Sequence, residues 1–242
     1  MDKKITELHS LIGSCSIVDL SPTLEKGIPR CPAHPPLIID QTATHAHDGY
    51  YSQTISMAEH TGAHVDAPAH QMPDMMDATI ETFPVNVLMG PAIVYNLHEF
   101  DPKPGARVSE EQILKLEKKM GTSASEGDIV LLNFNWFQHW TTTSQWRYYA
   151  ENEPGLSAEA VKLFCDRKVR AVGSDTIACD TPAVEGAEGK SYGHRVYWLP
   201  NNILIMEMLM NLGKLPVWSY FIALPLKIKN GSGSPIRPIA LF

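Results

Sequence analysis

The segment from His60 to His70 is the feature of the sequence that most restricts how the chain can fold. It reads His-Thr-Gly-Ala-His-Val-Asp-Ala-Pro-Ala-His, with three histidines and one aspartate close together. Positions 60, 62, 64 and 66 share parity, so in an extended strand their side chains leave the same face. Val65 and Ala67 have the opposite parity and are expected to face the core. The fold must therefore present one face of this strand to a shared site.

Imidazole and carboxylate groups at this density predict a metal site for zinc, manganese or iron(II). In an ideal strand His64 and Asp66 lie roughly 6 to 7 Å apart, close enough to meet at one ion, whereas His60 lies about 13 Å from His64. His60 can join the same ion only if the chain bends. Gly62 is the residue that tolerates such a bend, so we predict one there.

His70 follows Pro68, which ends regular strand pairing, so its ring is expected to emerge from a turn. There it can approach a metal-bound water without being a ligand, which makes it the candidate general acid/base. The alternative for the whole segment is a set of surface histidines or of histidines satisfied within the core. A second pair, His45 and His47, also has ligand-like spacing, but the Asp48-Gly49 that follows is typical of a solvated turn.

Glu207 is the candidate for a distant partner of the histidine segment. It lies within the apolar run 203–210, which we interpret as part of a buried helix from about Asn202 to Leu212, closed by Gly213. A buried carboxylate in that position requires a partner, because an unpaired charge there costs several kcal/mol. The partner is either a metal ion, with Glu207 as its ligand, or a buried arginine or lysine.

His194 follows a stretch rich in glycine and glutamate, residues 185–193, whose composition is typical of a mobile active-site segment. The spacing of His194 alone gives it no role. Asp175 stands at the end of a predicted strand, where a site residue can lie. An aspartate at such a position more often caps a turn than takes part in catalysis, so we assign Asp175 no catalytic role.

The size and composition of the chain favour one domain over residues 1–242. The chain is 44% hydrophobic and 19% charged, which excludes a disordered or fibrous architecture. The net charge of −7 argues against nucleic acid as a partner, because a phosphate backbone requires a basic surface. No stretch has the pattern of a signal peptide or a membrane span, so we expect a cytoplasmic protein. The four cysteines lack paired spacing and predict no disulfide framework.

Segments that resemble strands outnumber helical ones along the chain. Residues with β-branched or aromatic side chains predict strands near 17–20, 36–44, 51–59, 87–97, 128–134, 170–175, 219–228 and 236–242. Helices are predicted before Gly13, over 109–120 with a capping box of Ser109 and Gln112, and over 157–168 with Ser157 as the cap. Their irregular order favours an α/β fold in which a mixed sheet or partly closed barrel is flanked by helices.

Together these residues resemble the cyclase family of metal-dependent hydrolases, which includes bacterial kynurenine formamidase and isatin hydrolase. The family pattern His-x-Gly-Thr-His-x-Asp-x-Pro-x-His matches residues 60–70 at every position except Ala63, where the family has threonine. The similarity extends along almost the whole chain and includes stretches that begin at Asp19, Gly127, Glu153, Gly173 and Gly233.

The resemblance implies a role for each candidate ligand. It implies that His60, His64 and Asp66 bind the first metal ion, that Asp66 and Glu207 bridge to a second ion where one is present, and that His194 completes the second site. It also implies a fold of the swivelling β/β/α type and a homodimer or homotetramer. These expectations come from the family and not from composition or spacing.

Two departures from the family concern the substrate and the metal. The formamidases carry a tryptophan in a Pro-x-x-Pro-Gly stretch that helps to hold the aryl group, whereas this chain has Arg30 between Pro29 and Cys31. The difference argues against N-formylkynurenine as substrate. Arg30 is either a bidentate partner for a substrate carboxylate or an exposed arginine without a functional role. Ala63 removes a hydroxyl group and is expected to alter the surroundings of the metal.

The predicted activity is hydrolysis of a C–N bond in an amide, formamide or lactam of a small cyclic or aryl substrate. One or two divalent ions, Zn²⁺ or Mn²⁺, would activate a water molecule, and His70, to which the resemblance also assigns proton transfer, would pass its proton to the leaving nitrogen. An esterase, a lactonase or a dehydrating cyclase can use the same ions, and a non-catalytic protein stabilised by metal is a further alternative. A serine hydrolase is disfavoured, because the sequence has no Gly-x-Ser-x-Gly motif.

Overall fold

The computed structural model describes residues 2–180 and 191–242. Within these ranges the α-helices are α1 (Lys3–Ser14), α2 (His45–Asp48), α3 (Glu110–Met120), α4 (Trp146–Glu151) and α5 (Ala158–Asp166). The strands are β1 (Ile17–Asp19), β2 (Ile38–Ala43), β3 (Ser52–Ser56), β4 (His64–Asp66), β5 (Met89–Asn96), β6 (Arg107–Val108), β7 (Ile129–Asn133), β8 (Gly155–Leu156), β9 (Ala171–Ser174), β10 (Leu204–Glu207), β11 (Trp218–Ile222), β12 (Gly233–Pro235) and β13 (Ile239–Leu241). Short 3-10 turns and a π-helical turn, Gly193–Tyr197, join them.

A nine-stranded mixed sheet organises the molecule, with the strand order β1-β13-β11-β5-β7-β9-β10-β4-β12. Strands β5, β7, β9 and β10 run parallel, and the other neighbours pair antiparallel. The hairpin β2–β3 and the short pair β6–β8 form two small separate sheets. The predicted α/β fold, with a mixed sheet and flanking helices, is confirmed.

Side chains of the central strands alternate between two hydrophobic cores. Ile93 of β5 and Val130 of β7 belong to one core, to which α3 and α5 also contribute their apolar faces. Val94 and Leu131, one position further along each strand, belong to the other core. This alternation follows from the two-residue period of a strand. A strand of this sheet can therefore bury apolar residues on one face while its other face carries functional groups.

The three helices predicted from local signals are confirmed. The side chain of Ser109 accepts from the backbone of Gln112, and the Gln112 side chain accepts from the backbone of Ser109, so α3 begins with the predicted capping box. Ser157 caps α5 by accepting the N–H of Ala160. The N-terminal helix α1 includes Gly13 and ends one residue beyond it.

The predicted helix from Asn202 to Leu212 is wrong, because this segment forms strand β10. The run is apolar on every side, and such a run fits a strand of a parallel sheet as well as a buried helix. β10 lies between β9 and β4, and all four of its residues are buried. Asn202 and Met208 flank it in left-handed conformations, with φ angles of 58° and 56°, which prevent a right-handed helix at either end.

The other predicted strands are present but shorter than predicted. The largest difference is over residues 219–228, where β11 ends at Ile222. The short strands β6, β8 and β12 have too few residues to produce a periodic signal and were not predicted. All four cysteines are free, as their spacing predicts. No helix in the described ranges is long and apolar enough to cross a membrane.

Candidate metal centre

Antiparallel pairing between β4 and β10 places a histidine opposite a glutamate. His64 of β4 pairs with Glu207 of β10, and Asp66 pairs with Ile205. Residues directly opposite each other project from the same face of a sheet, so His64, Asp66 and Glu207 share a face. Val65 points to the opposite side and joins the core there, as predicted. Glu207 therefore reaches the centre from a strand and not from the predicted helix.

His60 reaches the same centre through the bend predicted at Gly62. Gly62 has a φ of +63°, and a Cβ at this position would lie 2.6 Å from the side chain of Leu24. Nδ1 of His60 lies 2.5 Å from Oδ1 of Asp66. Gly233 of β12 leaves room for the ring, since a Cβ there would lie 2.6 Å from Cε1 of His60. The two glycines thus allow an imidazole outside β4 to meet the side chains of that strand.

A second group of potential ligands surrounds the same aspartate. Nε2 of His194 lies 3.3 Å from Oδ2 of Asp66 and 3.3 Å from Oε1 of Glu207. Nε2 of His64 lies 3.4 Å from Oδ1 of Asp66 and 3.3 Å from Oε2 of Glu207. Among the described residues, two sets can hold a metal ion, each with ligand atoms within 4.8 Å of one another. They are His60, His64 and Asp66, and Asp66, His194 and Glu207.

Hydrogen bonds orient the rings of His60 and His64. In each ring the hydrogen bond engages the nitrogen that points away from the centre. Nδ1 of His64 donates to the carbonyl oxygen of Gly62 at 2.8 Å. Nε2 of His60 lies 2.9 Å from the hydroxyl oxygen of Ser232, which donates its own proton to Glu59 at 2.6 Å and so accepts from His60. These bonds place the ring protons outside the centre. In the neutral rings that a metal ion requires, Nε2 of His64 and Nδ1 of His60 are therefore the lone-pair nitrogens, and both face Asp66.

Asp180 supports His194 in the corresponding way. Its Oδ1 lies 3.1 Å from Nδ1 of His194, and its Oδ2 accepts the backbone N–H groups of Gly193 and His194 and the hydroxyl of Ser191. A carboxylate behind a metal-binding histidine fixes the tautomer and orientation of the ring. Asp180, Ser232 and Glu59 are not among the residues predicted from the sequence. The one local signal among these three is that Glu59 directly precedes His60.

The two carboxylates of the centre govern the ionisation of its histidines. Burial acts to lower the pKa of His64, but the hydrogen bond to Glu207 and the charges of Asp66 and Glu207 outweigh it and raise the pKa to about 9. Burial opposes the same change at His194, where Asp180 outside the centre, together with Asp66 and Glu207, raises the pKa well above its usual value. A metal ion must displace protons from these rings, so its affinity must fall as the pH falls.

Glu207 provides the test of whether these residues fit a metal ion. Its Oε1 is buried and accepts no hydrogen bond from any residue that the structure describes. Within the described ranges its ion-pair contacts are to His64 and His194, with no arginine or lysine among them. An unsatisfied buried carboxylate oxygen is costly, and a cation removes that cost. Three imidazoles with two carboxylates suit a divalent ion, and the residues therefore fit one.

His70 lies beside the two ligand sets and belongs to neither. It ends the 3-10 turn Pro68–His70, in agreement with the turn predicted after β4. Its ring packs against His60, with the ring centroids 4.0 Å apart, and lies 6.3 Å from the ring of His194. Burial lowers the pKa of His70 to about 4, although the charge of Asp66 opposes the change. A neutral imidazole thus stands next to the centre.

Arg30 lies between the backbone of His34 and the ring of Trp146. Its Nε donates to the carbonyl oxygen of His34 at 3.1 Å, and its guanidinium lies 4.4 Å from the ring centroid of Trp146. The ring of His34 in turn lies 5.6 Å from the ring of His60. Arg30 is half-buried and is linked to the centre only through His34, a neighbour of His60 that is not among the residues predicted from the sequence.

The remaining candidates lie away from the centre. His45 and His47 are exposed on helix α2, which agrees with the prediction of a solvated segment. Asp175 accepts the backbone N–H groups of Phe134, Trp136 and Phe137 and so caps a neighbouring turn. Of the predicted active-site segment 185–193, residues 185–190 lie outside the described residues.

The chain is similar to known proteins over nearly its full length. A family model described as "Putative cyclase" matches residues 18–181. The isatin hydrolase of Roseibium aggregatum is 27% identical over 93% of this chain and 86% of its own length. The kynurenine formamidase of Bacillus cytotoxicus is 23% identical over 92% of this chain and 95% of its own length. The crystal structure of an isatin hydrolase bound to the product analogue thioisatinate has a TM-score of 0.89 at 25% identity, covering 100% of this chain and 99% of that one.

Proposed function

The chain belongs to the cyclase family, and on that premise we propose that it is a metal-dependent hydrolase that cleaves a C–N bond. Its substrate is an amide, formamide or lactam of a small cyclic or aryl compound. The names of its relatives, isatin hydrolase and kynurenine formamidase, refer to hydrolysis of a lactam and of a formamide. The observation that carries the proposal is the convergence of three imidazoles and two carboxylates on one buried centre.

The ligand roles follow from the two sets of side chains. We assign His60, His64 and Asp66 to a first divalent ion, Zn²⁺ or Mn²⁺, and Asp66, His194 and Glu207 to a second ion where one is bound. Asp66 belongs to both sets, so its two oxygens suit it to bridge the ions. When bound, such an ion polarises a carbonyl oxygen and lowers the pKa of a water molecule toward neutrality.

His70 is the residue to which we assign proton transfer. Its ring packs on His60 but lies outside both ligand sets, so it can contact water or substrate beside the centre without being tied to a metal. An imidazole can accept a proton from the attacking water and pass it to the leaving nitrogen. Both events require the ring to stay close to the ligands, and the packing against His60 keeps it there.

Arg30 is proposed to bind a carboxylate of the substrate or product. Its Nε is held by the carbonyl oxygen of His34, and one face of the guanidinium lies against Trp146. This arrangement orients the terminal nitrogens, which suit a bidentate contact with a carboxylate. Opening a lactam leaves the new carboxylate attached to the product, whereas cleaving a formamide releases it separately as formate. Arg30 thus favours substrates that carry or gain a carboxylate.

The assembly and location of the protein stay predictions. The family resemblance implies a homodimer or homotetramer, and the sequence predicts a single domain in the cytoplasm. Light scattering on the purified protein measures the assembly directly. We expect a mass of two or four chains, and a monomer at working concentration would contradict the prediction.

A hydrolysis screen of the protein loaded with Zn²⁺ or Mn²⁺ tests the proposed function. The panel consists of aryl formamides, isatin-like lactams, other cyclic amides and lactones. We expect the protein to hydrolyse an amide or lactam. A chelator should abolish this activity, and the His64→Ala variant should be inactive. His47→Ala, which changes an exposed histidine on α2, is the matched control and should stay active. Activity that survived the chelator would overturn the proposal, and activity on lactones alone would favour an esterase or lactonase.

A further inference from the structure

Gln71 connects His70 to an arginine from a distant part of the chain. Nε2 of Gln71 lies 3.2 Å from Nε2 of His70, and Oε1 of Gln71 accepts from Nε of Arg195 at 3.0 Å. Gln71 directly follows the turn that ends at His70, and Arg195 directly follows His194 in the π-helical turn. These contacts link the proposed proton-transfer residue to the segment that supplies a metal ligand.

The directions of the two hydrogen bonds follow from the chemistry of arginine. A guanidinium has only donors, so the atom of Gln71 that meets Arg195 must be the amide oxygen. The amide nitrogen, which is also only a donor, then faces His70, and Nε2 of His70 must accept from it. A neutral imidazole that accepts at Nε2 carries its proton on Nδ1. The orientation of a glutamine amide is often ambiguous, but Arg195 removes the ambiguity here.

We propose that Gln71 and Arg195 are positioning residues that hold His70 in one neutral tautomer, with the proton on Nδ1. This inference rests on the proposed function, which assigns proton transfer to His70. It identifies Nδ1 as the ring nitrogen that carries the proton when the reaction begins. Because Nε2 is engaged by Gln71, the N–H at Nδ1 is the ring donor that this tautomer would offer to a carbonyl oxygen or leaving nitrogen of the substrate. Gln71 must release Nε2 before the ring accepts a proton at that atom.

NMR of the Zn²⁺-loaded protein with 15N-labelled histidine tests the proposal, because protonated and unprotonated ring nitrogens have different shifts. His70→Asn identifies the His70 signals by their loss. In the unmodified protein we expect a protonated Nδ1 and an unprotonated Nε2. Gln71→Glu places a carboxylate oxygen where the amide donor was and keeps an acceptor for Arg195. The proton of His70 should therefore move to Nε2 in this variant.

Two further variants separate the effect of Arg195 from the effect of an added negative charge. Arg195→Met frees the amide of Gln71 to rotate and should give a mixture of the two tautomers. Gln53→Glu, exposed on β3, is the matched charge control and should leave the His70 signals unchanged. A proton on Nε2 in the unmodified protein, or unchanged signals in Gln71→Glu, would overturn the proposal. If Arg195→Met still gave only the form protonated on Nδ1, Arg195 would have no role in holding the tautomer of His70.

Kinetics give a second readout. Because Gln71 acts through His70, Gln71→Glu should lower kcat by about ten-fold or more and change KM by less than about two-fold. The spectrum reports the tautomer without turnover. A protein with the expected tautomer that hydrolysed none of the panel would contradict the proposed function alone. An active enzyme with the proton on Nε2 would contradict this inference alone.

Discussion

Glu117 and Glu207 are almost equally buried, at 8% and 6% exposure, yet their surroundings differ in kind. Glu117, on α3, accepts hydrogen bonds from both terminal nitrogens of Arg167 and from the hydroxyl of Tyr95. Glu207, on β10, faces imidazoles, and its Oε1 accepts no hydrogen bond from the part of the chain that the structure describes. Burial alone therefore does not identify a functional carboxylate. Of these two glutamates, the one with the incomplete set of partners is the one at the metal centre.

The physical difference is where the balancing charge comes from. In the Glu117 cluster, formed by Glu117, Arg167 and Tyr95, the guanidinium supplies it within the chain, and Tyr95 also accepts the N–H of Ala124 at 2.9 Å. The metal centre gathers two carboxylates with no permanent cation beside them among the described residues. Protons on the histidines or a metal ion must balance them. We therefore expect the first cluster to control stability and the second to control metal binding and activity.

Asp66→Asn should have the largest effect of any change at the metal centre. Asp66 belongs to both ligand sets, and an amide supplies neither its charge nor two acceptor oxygens. We expect loss of bound metal and a fall in kcat/KM of more than about a hundred-fold, beyond the range typical of residues behind the ligands. Mass spectrometry of the metal content and initial rates measure both. A variant that kept its full metal content would show that Asp66 is not a required metal ligand.

Glu117→Ala should instead affect stability alone. The substitution leaves the guanidinium of Arg167 and the hydroxyl of Tyr95 without their acceptor. Water cannot easily replace it, because only 21% of the Arg167 side chain is exposed. The expected loss is about 2 to 4 kcal/mol of the free energy of unfolding. Urea denaturation measures it. Unchanged metal affinity is part of the prediction, and a weakened metal site would mean that the two clusters are not independent.

The parts of the centre that could be predicted from the sequence are those in which chemistry and geometry are local. His60, His64 and Asp66 lie within seven positions of one another, so strand parity and one glycine were enough to bring them together. The capped helices α3 and α5 were predictable for the same reason, because a cap and its acceptor lie three residues apart. Local signals of this kind survive in a single sequence.

The rest depends on contacts between distant segments. The sequence predicts a helix where β10 lies, because a strand buried on both faces has no alternating pattern. The register of β10 with β4 is what brings Glu207 to His64. Asp180 and Ser232 gain their roles from hydrogen bonds to His194 and His60 that no spacing in the sequence reveals. Fold class could thus be predicted, whereas the residues that orient the ligands could not.

Asp180→Asn tests the carboxylate that orients the metal ligand His194. The amide oxygen can still accept the backbone N–H groups of Gly193 and His194, but the charge that orients the ring of His194 is lost. We expect metal affinity to fall by about 10- to 100-fold with little change in the free energy of unfolding. Titration against a competing chelator measures the affinity. Asp166→Asn, on the exposed surface of α5, is the matched control and should bind metal normally.

Tyr95→Phe is the matching test in the Glu117 cluster and should have the smallest effect. The substitution removes one hydrogen bond to Glu117 and leaves the N–H of Ala124 without its acceptor, but Glu117 keeps both contacts to Arg167. The expected cost is about 1 to 2 kcal/mol in urea denaturation. The exposed Tyr50→Phe should cost far less. Because the hydroxyl serves only a cluster whose charges are already balanced, metal affinity and kcat should not change. A change in either would mean that the Glu117 cluster is coupled to the metal centre, and the distinction between a carboxylate balanced within the chain and one that needs a cation would then fail.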